Sequence, residues 1–222
     1  MVKISEFLTG VKVLEETESP INGKITVIKS LAFGKYIQVG GLTQSGGIIK
    51  DIWKKTLAKV SKVSNVPKVP QVLILGLGGG SIVDVVQKYW PKTKITAVDI
   101  DAKMVELGKK YLGLDENDIK IVIEDAEKYL LQKSKIKNLK SKYDLVLVDL
   151  YVGDEFPKKF ESKNYIHLVR SHLESSGIAV FNRLYYGEKR SQSVKFGKLL
   201  EKIFSKVDVF YPEANIMFIC YS

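Results

Sequence analysis

The amino-acid sequence predicts an α/β fold in which a small β-rich subdomain precedes a seven-stranded, mostly parallel sheet. Two observations carry this prediction: β-rich runs dominate the first 69 residues, and strand-like and helix-like runs alternate from residue 71 onward. Such alternation indicates parallel strands with helices on both faces of the sheet. The last two strand-like runs have no helix between them, so we expect the sheet to end in an antiparallel hairpin.

Residues 1–69 are predicted to form the small N-terminal β-subdomain, with one helix and a linker after it. Its strand-like runs are Val11–Glu15, Lys24–Lys29 and Lys35–Val39. Asn22-Gly23 predicts a hairpin between the first two runs, because Asn and Gly tolerate positive φ. An amphipathic pattern predicts a helix over Ile48–Val63, and the two prolines of Ser64–Pro70 indicate a linker.

Residues 70–222 are predicted to form the second domain. Its predicted strands are Gln71–Leu75, Lys94–Val98, Lys120–Ile123, Asp144–Asp149, Ile178–Asn182, Val207–Tyr211 and Ile216–Tyr221. Its predicted helices are Ser81–Tyr89, Ala102–Leu112, Ala126–Gln132, Lys163–Leu173 and Gln192–Phe204. This layout is the Rossmann-like sheet of class I S-adenosylmethionine methyltransferases. A Rossmann dehydrogenase would continue the alternation of strand and helix instead.

Composition and charge narrow the classes of function. The chain has 35 Lys and Arg against 25 Asp and Glu, a net charge of +10. Because the lysines are spread along the chain without a nucleic-acid motif, we interpret them as solvated faces and expect no nucleic-acid partner. Met1–Gly10 lacks the apolar core of a signal peptide, and no apolar run is long enough to span a bilayer. With Cys220 as the only cysteine, a cytoplasmic protein without a membrane partner is expected.

A glycine-rich loop, Gly76-Leu77-Gly78-Gly79-Gly80, follows the first strand of the second domain. Glycines let the backbone turn sharply and approach a ligand closely, and ligands bind at the strand ends in this fold class. We therefore predict that Gly76, Gly78, Gly79 and Gly80 contact a cofactor. A dinucleotide fingerprint would require glycine at 81, so Ser81 argues against a nicotinamide cofactor.

Carboxylates stand at the ends of the next three strands. Asp99 is placed to bind a ribose diol, with Asp101 beside it either in the cofactor site or as a helix cap. Asp125, followed by Ala126, is placed to accept a hydrogen bond from an adenine amino group, to cap the next helix, or both. Asp149 leaves a buried strand, where an unpaired carboxylate is costly, and a catalytic role would explain its position.

Several of these features together resemble the spermidine synthase (polyamine aminopropyltransferase) family. They are the run from Ser19-Pro20 to Gln44, the glycine loop, Asp99, Asp125 and Asp149. The resemblance extends from about Val11 to Asn182. It implies a small N-terminal β-domain before a methyltransferase-like domain, a homodimer, and S-adenosylmethionine or decarboxylated S-adenosylmethionine as the cofactor, with no metal.

For the site, the resemblance implies that Gln44 lies near the cofactor, Asp99 binds its ribose, Asp125 binds its adenine, and Asp149 is the catalytic acid–base residue. The family's glycine loop carries an aspartate at the position of Gly79. That aspartate attracts the amine tail of the decarboxylated donor and would repel the carboxylate of S-adenosylmethionine, by about 1–4 kcal/mol at ~4 Å. Glycine at this position therefore predicts that ordinary S-adenosylmethionine is tolerated.

The expected function is transfer of an aminopropyl or methyl group from such a donor to a small-molecule acceptor, such as an amine. Tyr151, Asp154 and Asn182 are predicted to line the acceptor side, where Asp154 would hold a cation. His167 and His172 lack the spacing of metal ligands. Two alternatives remain open: a methyltransferase acting on a non-polyamine substrate, and a non-catalytic nucleoside-binding protein.

Overall fold

The computed structural model describes residues 10–63, 66–114, 119–135 and 142–222. The N-terminal part of these residues forms a four-stranded antiparallel sheet. Its strands, in spatial order, are β1 (Val11–Ser19), β2 (Gly23–Ser30), β3 (Gly34–Val39) and β4 (Leu42–Gly46). The fourth strand was not predicted, because Thr43, Gln44 and Ser45 give it no apolar alternation. Residues 1–9 and 64–65, on which the predictions about a signal peptide and a linker partly depend, lie outside the described residues.

The β1–β2 hairpin closes with Ser19 opposite Gly23, so Pro20, Ile21 and Asn22 form its tip. Gly23 has a φ of +62°, whereas Asn22 does not take positive φ. The predicted hairpin is therefore present, with a three-residue loop. Its tip lies against the second sheet, where Asn22 contacts Asp101.

Helix α1 (Gly47–Val60) follows β4 directly and ends three residues earlier than predicted. Its buried face carries Ile52, Trp53, Leu57 and Val60. These side chains pack in one hydrophobic cluster with the central strands of the second sheet. As a result, α1 reaches the part of the fold in which the strand-end carboxylates lie.

The second sheet has seven strands in the spatial order β10-β11-β9-β8-β5-β6-β7. The strands are β5 (Gln71–Leu75), β6 (Lys94–Asp99), β7 (Lys120–Ile123), β8 (Tyr143–Val148), β9 (Leu173–Leu184), β10 (Lys206–Phe210) and β11 (Asn215–Tyr221). β5 to β9 pair in parallel, and β11 pairs antiparallel with both β9 and β10. This arrangement confirms the predicted fold class, including its terminal antiparallel hairpin.

Helices flank the seven-stranded sheet. They are α2 (Ser81–Tyr89), α3 (Ala102–Leu112), α4 (Ala126–Lys135), α5 (Lys163–Ser171) and α6 (Lys189–Leu200), with a short 3₁₀ helix at Lys158–Glu161. α6 starts earlier and ends earlier than predicted. β9 is longer than predicted at both ends: it begins at Leu173, which pairs with Tyr143 of β8, and β11 pairs with it as far as Leu184. The division of the chain at residues 69 and 70 stays a prediction. In the described part of the chain, no helix is both long and apolar enough to cross a membrane.

Two hydrophobic clusters cover the two faces of this sheet. The chain runs from β5 to β6 on one side, while β8 pairs with β5 on the other. In open α/β sheets, such a reversal of strand order leaves a crevice at the carboxyl ends of the strands. We therefore expect a ligand site among the residues that follow β5, β6, β7 and β8.

Candidate active site

A cavity of about 630 Å³ opens at the carboxyl ends of these four strands. Its volume lies in the range of small-molecule sites, roughly 300–1,000 Å³. Nine of the residues predicted to form the site line it: Gln44, Gly76, Gly78, Asp99, Asp125, Ala126, Asp149, Tyr151 and Asn182. The hairpin tip, Pro20 to Asn22, also contributes to the wall. The first sheet and the seven-stranded sheet thus share one cavity.

Asp149, which follows β8, is held by two hydrogen-bond donors. The indole Nε1 of Trp53 donates to its Oδ2 at 2.8 Å, and Nδ2 of Asn182 donates to its Oδ1 at 2.8 Å. Asn182 is itself oriented by Asn215, whose Nδ2 donates to Asn182 Oδ1 at 2.7 Å. Each carboxylate oxygen can accept more than one hydrogen bond, so Asp149 keeps acceptor capacity for a ligand.

The surroundings of Asp149 act on its pKa in opposite directions. Burial raises the pKa of the carboxyl and the charge of Asp99 adds to that rise, while the hydrogen bonds from Trp53 and Asn182 lower it. Burial is the largest of these effects, and the pKa lies above its ordinary value. A carboxylate with a raised pKa is a better proton acceptor than one in water, which suits general-base chemistry at neutral pH.

Asp99, at the end of β6, is fixed by backbone amides. The amide of Gly78 donates to its Oδ2 at 2.6 Å, and the amide of Asp101 donates to its Oδ1 at 2.8 Å. Burial raises the pKa of Asp99, and these amide hydrogen bonds partly offset that rise. The side chain is therefore pre-oriented at the cavity wall, as a ribose-binding carboxylate would require.

The glycine loop has a structural reason at each glycine. At Gly76, where φ is +91°, a Cβ would lie 2.1 Å from the backbone oxygen of Asp149. Gly79 and Gly80, which are also predicted to contact a cofactor, do not line the cavity. A Cβ at Gly79 would lie 2.8 Å from Ile37 Cδ1, and one at Gly80 would lie 2.5 Å from Leu114 Cδ1. These two glycines allow the loop to pack closely on its neighbours.

Asp101 is also absent from the cavity lining, in contrast to its predicted place in the cofactor site. It caps α3, with Oδ1 accepting the amides of Lys103 at 2.9 Å and Met104 at 3.4 Å. Its Oδ2 accepts hydrogen bonds from Ser19 and Asn22 of the β1–β2 hairpin. The helix-cap alternative is the one that the geometry supports.

Asp125, at the carboxyl end of β7, lines the cavity and also caps a helix. Its Oδ1 accepts the amide of Lys128 at 3.0 Å, and its Oδ2 pairs with the ammonium of Lys159. Burial acts to raise the pKa of Asp125, but the hydrogen bond and charge of Lys159, together with the Lys128 amide, lower it below its ordinary value. The carboxylate is therefore ionised and faces the cavity edge with a cation beside it.

The segment after Asp149 forms the opposite wall. Tyr151 Oη accepts the amide of Leu184 at 2.8 Å, and Gln44 Nε2 donates to the carbonyl of Gly153 at 2.9 Å. Asp154 does not line the cavity: its carboxylate is 3.2 Å from Lys189 Nζ and 46% exposed. Its predicted contact with the acceptor is therefore not supported by its position.

The described residues that line the cavity carry an excess of negative charge. Five are acidic and one is basic: Asp99, Glu124, Asp125, Asp149, Glu213 and Lys159. This local balance is opposite in sign to the net charge of +10 of the whole chain. Three of the acids are paired with lysines: Asp125 with Lys159, Glu124 with Lys128 and Glu213 with Lys55. The negative charge that a ligand meets therefore comes mainly from Asp99 and Asp149, whose hydrogen-bond donors are uncharged, and it favours a cationic ligand.

Sequence patterns did not identify three residues of the site. Trp53 was hidden in the apolar face of α1, Asn215 lies in the terminal hairpin, and Lys159 belongs to a surface-like basic segment. Within the described ranges, no cluster of three or more His, Cys, Asp or Glu residues has the geometry of a metal site. His172 Nδ1 lies 2.9 Å from the Leu168 carbonyl, and His167 is exposed.

Comparison with known proteins places this geometry in context. The model of the spermine/spermidine synthase domain matches residues 50–216. A polyamine aminopropyltransferase from Clostridium botulinum is 31% identical over 138 residues, which are 60% of this chain and 46% of that protein. One from Saccharolobus solfataricus is 33% identical over 145 residues, which are 63% of this chain and 46% of that protein. The chain thus spans about half the length of these relatives.

Solved structures with similar folds cover more of the chain. Spermidine synthase from Thermotoga maritima superposes with a TM-score of 0.75 at 17% identity, over 95% of this chain and 72% of that one. Human methyltransferase-like protein 13, solved in complex with SAH, superposes with a TM-score of 0.61 at 22% identity, over 78% of each chain. At these identities the structures support the fold alone.

Proposed function

The chain belongs to the spermine/spermidine synthase domain family, and from this membership we propose that it transfers an aminopropyl group from decarboxylated S-adenosylmethionine to an amine. The relatives at 31% and 33% identity are named polyamine aminopropyltransferases. The observation that carries the proposal is the acidic cavity, in which Asp149 is oriented by Trp53 and Asn182. Both the donor and a protonated amine acceptor are cations.

The reaction places defined demands on the residues of the cavity. The lone pair of the amine forms a bond to the carbon beside the sulfonium, the carbon–sulfur bond breaks, and the sulfur leaves as a neutral thioether. An amine is mostly protonated at neutral pH, so it must lose a proton before it attacks. Asp149 is the group that accepts this proton, because its carboxylate is fixed and its pKa is raised.

The other carboxylates orient the adenosine part of the donor in this proposal. Asp99 accepts hydrogen bonds from the ribose hydroxyls, since its orientation is set by the amides of Gly78 and Asp101. Asp125 accepts from the adenine amino group at the edge of the cavity, next to Lys159. Positioning of this kind converts a collision between two molecules into a reaction within one complex.

The glycine loop and the cavity lining lead to different expectations about the donor. Glycine at 79 predicts that S-adenosylmethionine is tolerated, whereas the acidic lining favours the decarboxylated donor, which lacks a carboxylate and carries one more net positive charge. We give more weight to the lining, because Gly79 does not face the cavity. The preference therefore arises from the field of the whole cavity instead of one loop aspartate.

Turnover measured with both donors against a panel of diamines and monoamines tests the proposal. Aminopropylated product from the decarboxylated donor is expected, and Asp149→Asn should lower kcat by about 100-fold or more while donor binding persists. Methylated product from S-adenosylmethionine alone would instead identify a methyltransferase. Binding without turnover by either donor would favour the nucleoside-binding alternative.

A further inference from the structure

Asp101 connects three parts of the molecule although it does not line the cavity. Its side chain is 2% exposed, and both of its oxygens are occupied. One oxygen, Oδ1, caps α3. The other, Oδ2, binds two side chains of the β1–β2 hairpin, which belongs to the other sheet.

The contacts to the hairpin are short and converge on one atom. Ser19 Oγ donates to Asp101 Oδ2 at 2.5 Å, and Asn22 Nδ2 donates to the same oxygen at 2.6 Å. Ser19 Oγ also accepts the amides of Ile21 at 3.0 Å and Asn22 at 3.1 Å, so it organises the tip internally. Hydrogen bonds to a charged group contribute more than neutral ones, so this oxygen is a strong tether.

The tethered tip is part of the cavity wall. Pro20, Ile21 and Asn22 all line the cavity, whereas Ser19, which ends β1, does not. Asp101 also contacts a second part of the wall, because its backbone amide donates to Asp99 Oδ1 at 2.8 Å. One residue thus binds both the hairpin tip and the cavity-lining carboxylate of Asp99.

From this arrangement, we propose that Asp101 is a positioning residue of the donor site, which docks the β1–β2 hairpin onto the seven-stranded sheet and so completes the pocket for the adenosine part of the donor. The inference rests on the proposed function. It follows that the first sheet is part of the binding site, since loss of the tether would leave Asp99 in place but release the part of the wall that the hairpin tip forms.

The tether and the helix cap can be separated by substitution. Asp101→Asn keeps Oδ1 as an acceptor for the α3 amides but presents an amide donor to Asn22 Nδ2, which is also a donor. Ser19→Ala removes one tether together with the acceptor for the amides of Ile21 and Asn22 within the tip, and it leaves the helix cap untouched. Thr93→Val is the matched control, because Thr93 bonds the Pro70 carbonyl at the amino ends of β5 and β6, on the edge of the sheet away from the cavity.

Calorimetric titration with 5′-methylthioadenosine, the thioether left after aminopropyl transfer, tests the inference without turnover. Asp101→Asn should raise Kd about tenfold or more and Ser19→Ala about threefold or more, while Thr93→Val lowers Tm but leaves Kd within about twofold. If Asp101→Asn does not fold, the Kd of Ser19→Ala still tests the inference.

The outcomes are distinguishable. The inference would be overturned, and the proposed function left intact, if the wild type binds 5′-methylthioadenosine and a folded Ser19→Ala or Asp101→Asn variant binds it equally well. A weakening that Thr93→Val shares would also overturn it, because a general loss of stability would then explain the effect. Absence of binding by the wild type would remove the proposed function and the inference with it.

Discussion

The hydrogen bond from Trp53 to Asp149 gives the sharpest test of the proposed proton acceptor. Trp53 is fully buried, and its indole Nε1 donates to Asp149 Oδ2 at 2.8 Å. Replacing Trp53 with Phe keeps an aromatic ring in the core but removes the donor. Because this hydrogen bond lowers the pKa of Asp149 against the effect of burial, its loss is expected to raise that pKa further.

The expected size of the shift follows from two general magnitudes. A hydrogen bond to a charged group contributes about 1.5–3 kcal/mol, and a shift of one pKa unit corresponds to about 1.4 kcal/mol. The pKa of Asp149 should therefore rise by about one to two units. Since Asp149 must be ionised to accept a proton, the acidic limb of the kcat/KM profile should move to higher pH by the same amount.

The pH dependence of kcat/KM for aminopropyl transfer measures this shift, and carboxyl ¹³C chemical shifts of Asp149 measure it independently of turnover. Trp90→Phe is the matched control, because Trp90 is also buried but does not itself line the cavity, and the indole that donates to Asp149 Oδ2 is that of Trp53. An acidic limb that moves by less than about 0.3 units in Trp53→Phe, or equally in both variants, would refute the reasoning.

Three further predictions follow from the cavity and its loop. Gly76→Ala should destabilise the fold by about 3 kcal/mol or more in urea denaturation, because its Cβ would overlap the Asp149 carbonyl, whereas Gly40→Ala, at φ +56° in open space, should cost about 1 kcal/mol. Lys159→Met should raise the pKa of Asp125 in a carboxyl NMR titration, because Lys159 lowers that pKa in the wild type. The stability that the lowered pKa provides is present at neutral pH and is lost as pH falls through the pKa of Asp125, so the wild type and the variant should converge in stability in acid. Raising NaCl from about 0.05 to about 0.5 M should weaken binding of decarboxylated S-adenosylmethionine more than that of neutral 5′-methylthioadenosine in calorimetry, and equal salt slopes would contradict an acidic cavity.

The sheet was predictable because its signals are local. Apolar runs bounded by glycine or an acid define β5, β6, β7 and β8, and the predicted acids Asp99, Asp125 and Asp149 all lie at the cavity. Strand β4 escaped prediction because its pairing with β3, not its composition, makes it a strand. The added length of β9 likewise depends on pairing, with β8 at its start and β11 at its end.

The partners of the acids could not be predicted, because they come from distant parts of the chain. Trp53 is 96 positions from Asp149, and the periodicity of α1 explains it fully as a core residue. The glycines of the loop have different physical causes, which composition alone does not separate. The amide of Gly78 donates a hydrogen bond to Asp99. At Gly79 and Gly80, by contrast, a Cβ would come within 3 Å of the side chains of Ile37, Leu112 and Leu114.

The glycine loop packs directly on α3, and Gly108 is the position that makes this close approach possible. A Cβ at Gly108 would lie 2.6 Å from the Gly79 backbone, and a Cβ at Gly79 would meet both Ile37 and Leu112 within 3 Å. The two atoms near Gly79 are the ends of flexible side chains and could move aside, whereas the atoms near Gly108 belong to the backbone. A side chain at Gly108 would therefore displace Gly79 and the loop that carries it, so the position of the loop depends on a helix that contributes only Met104 to the cavity wall.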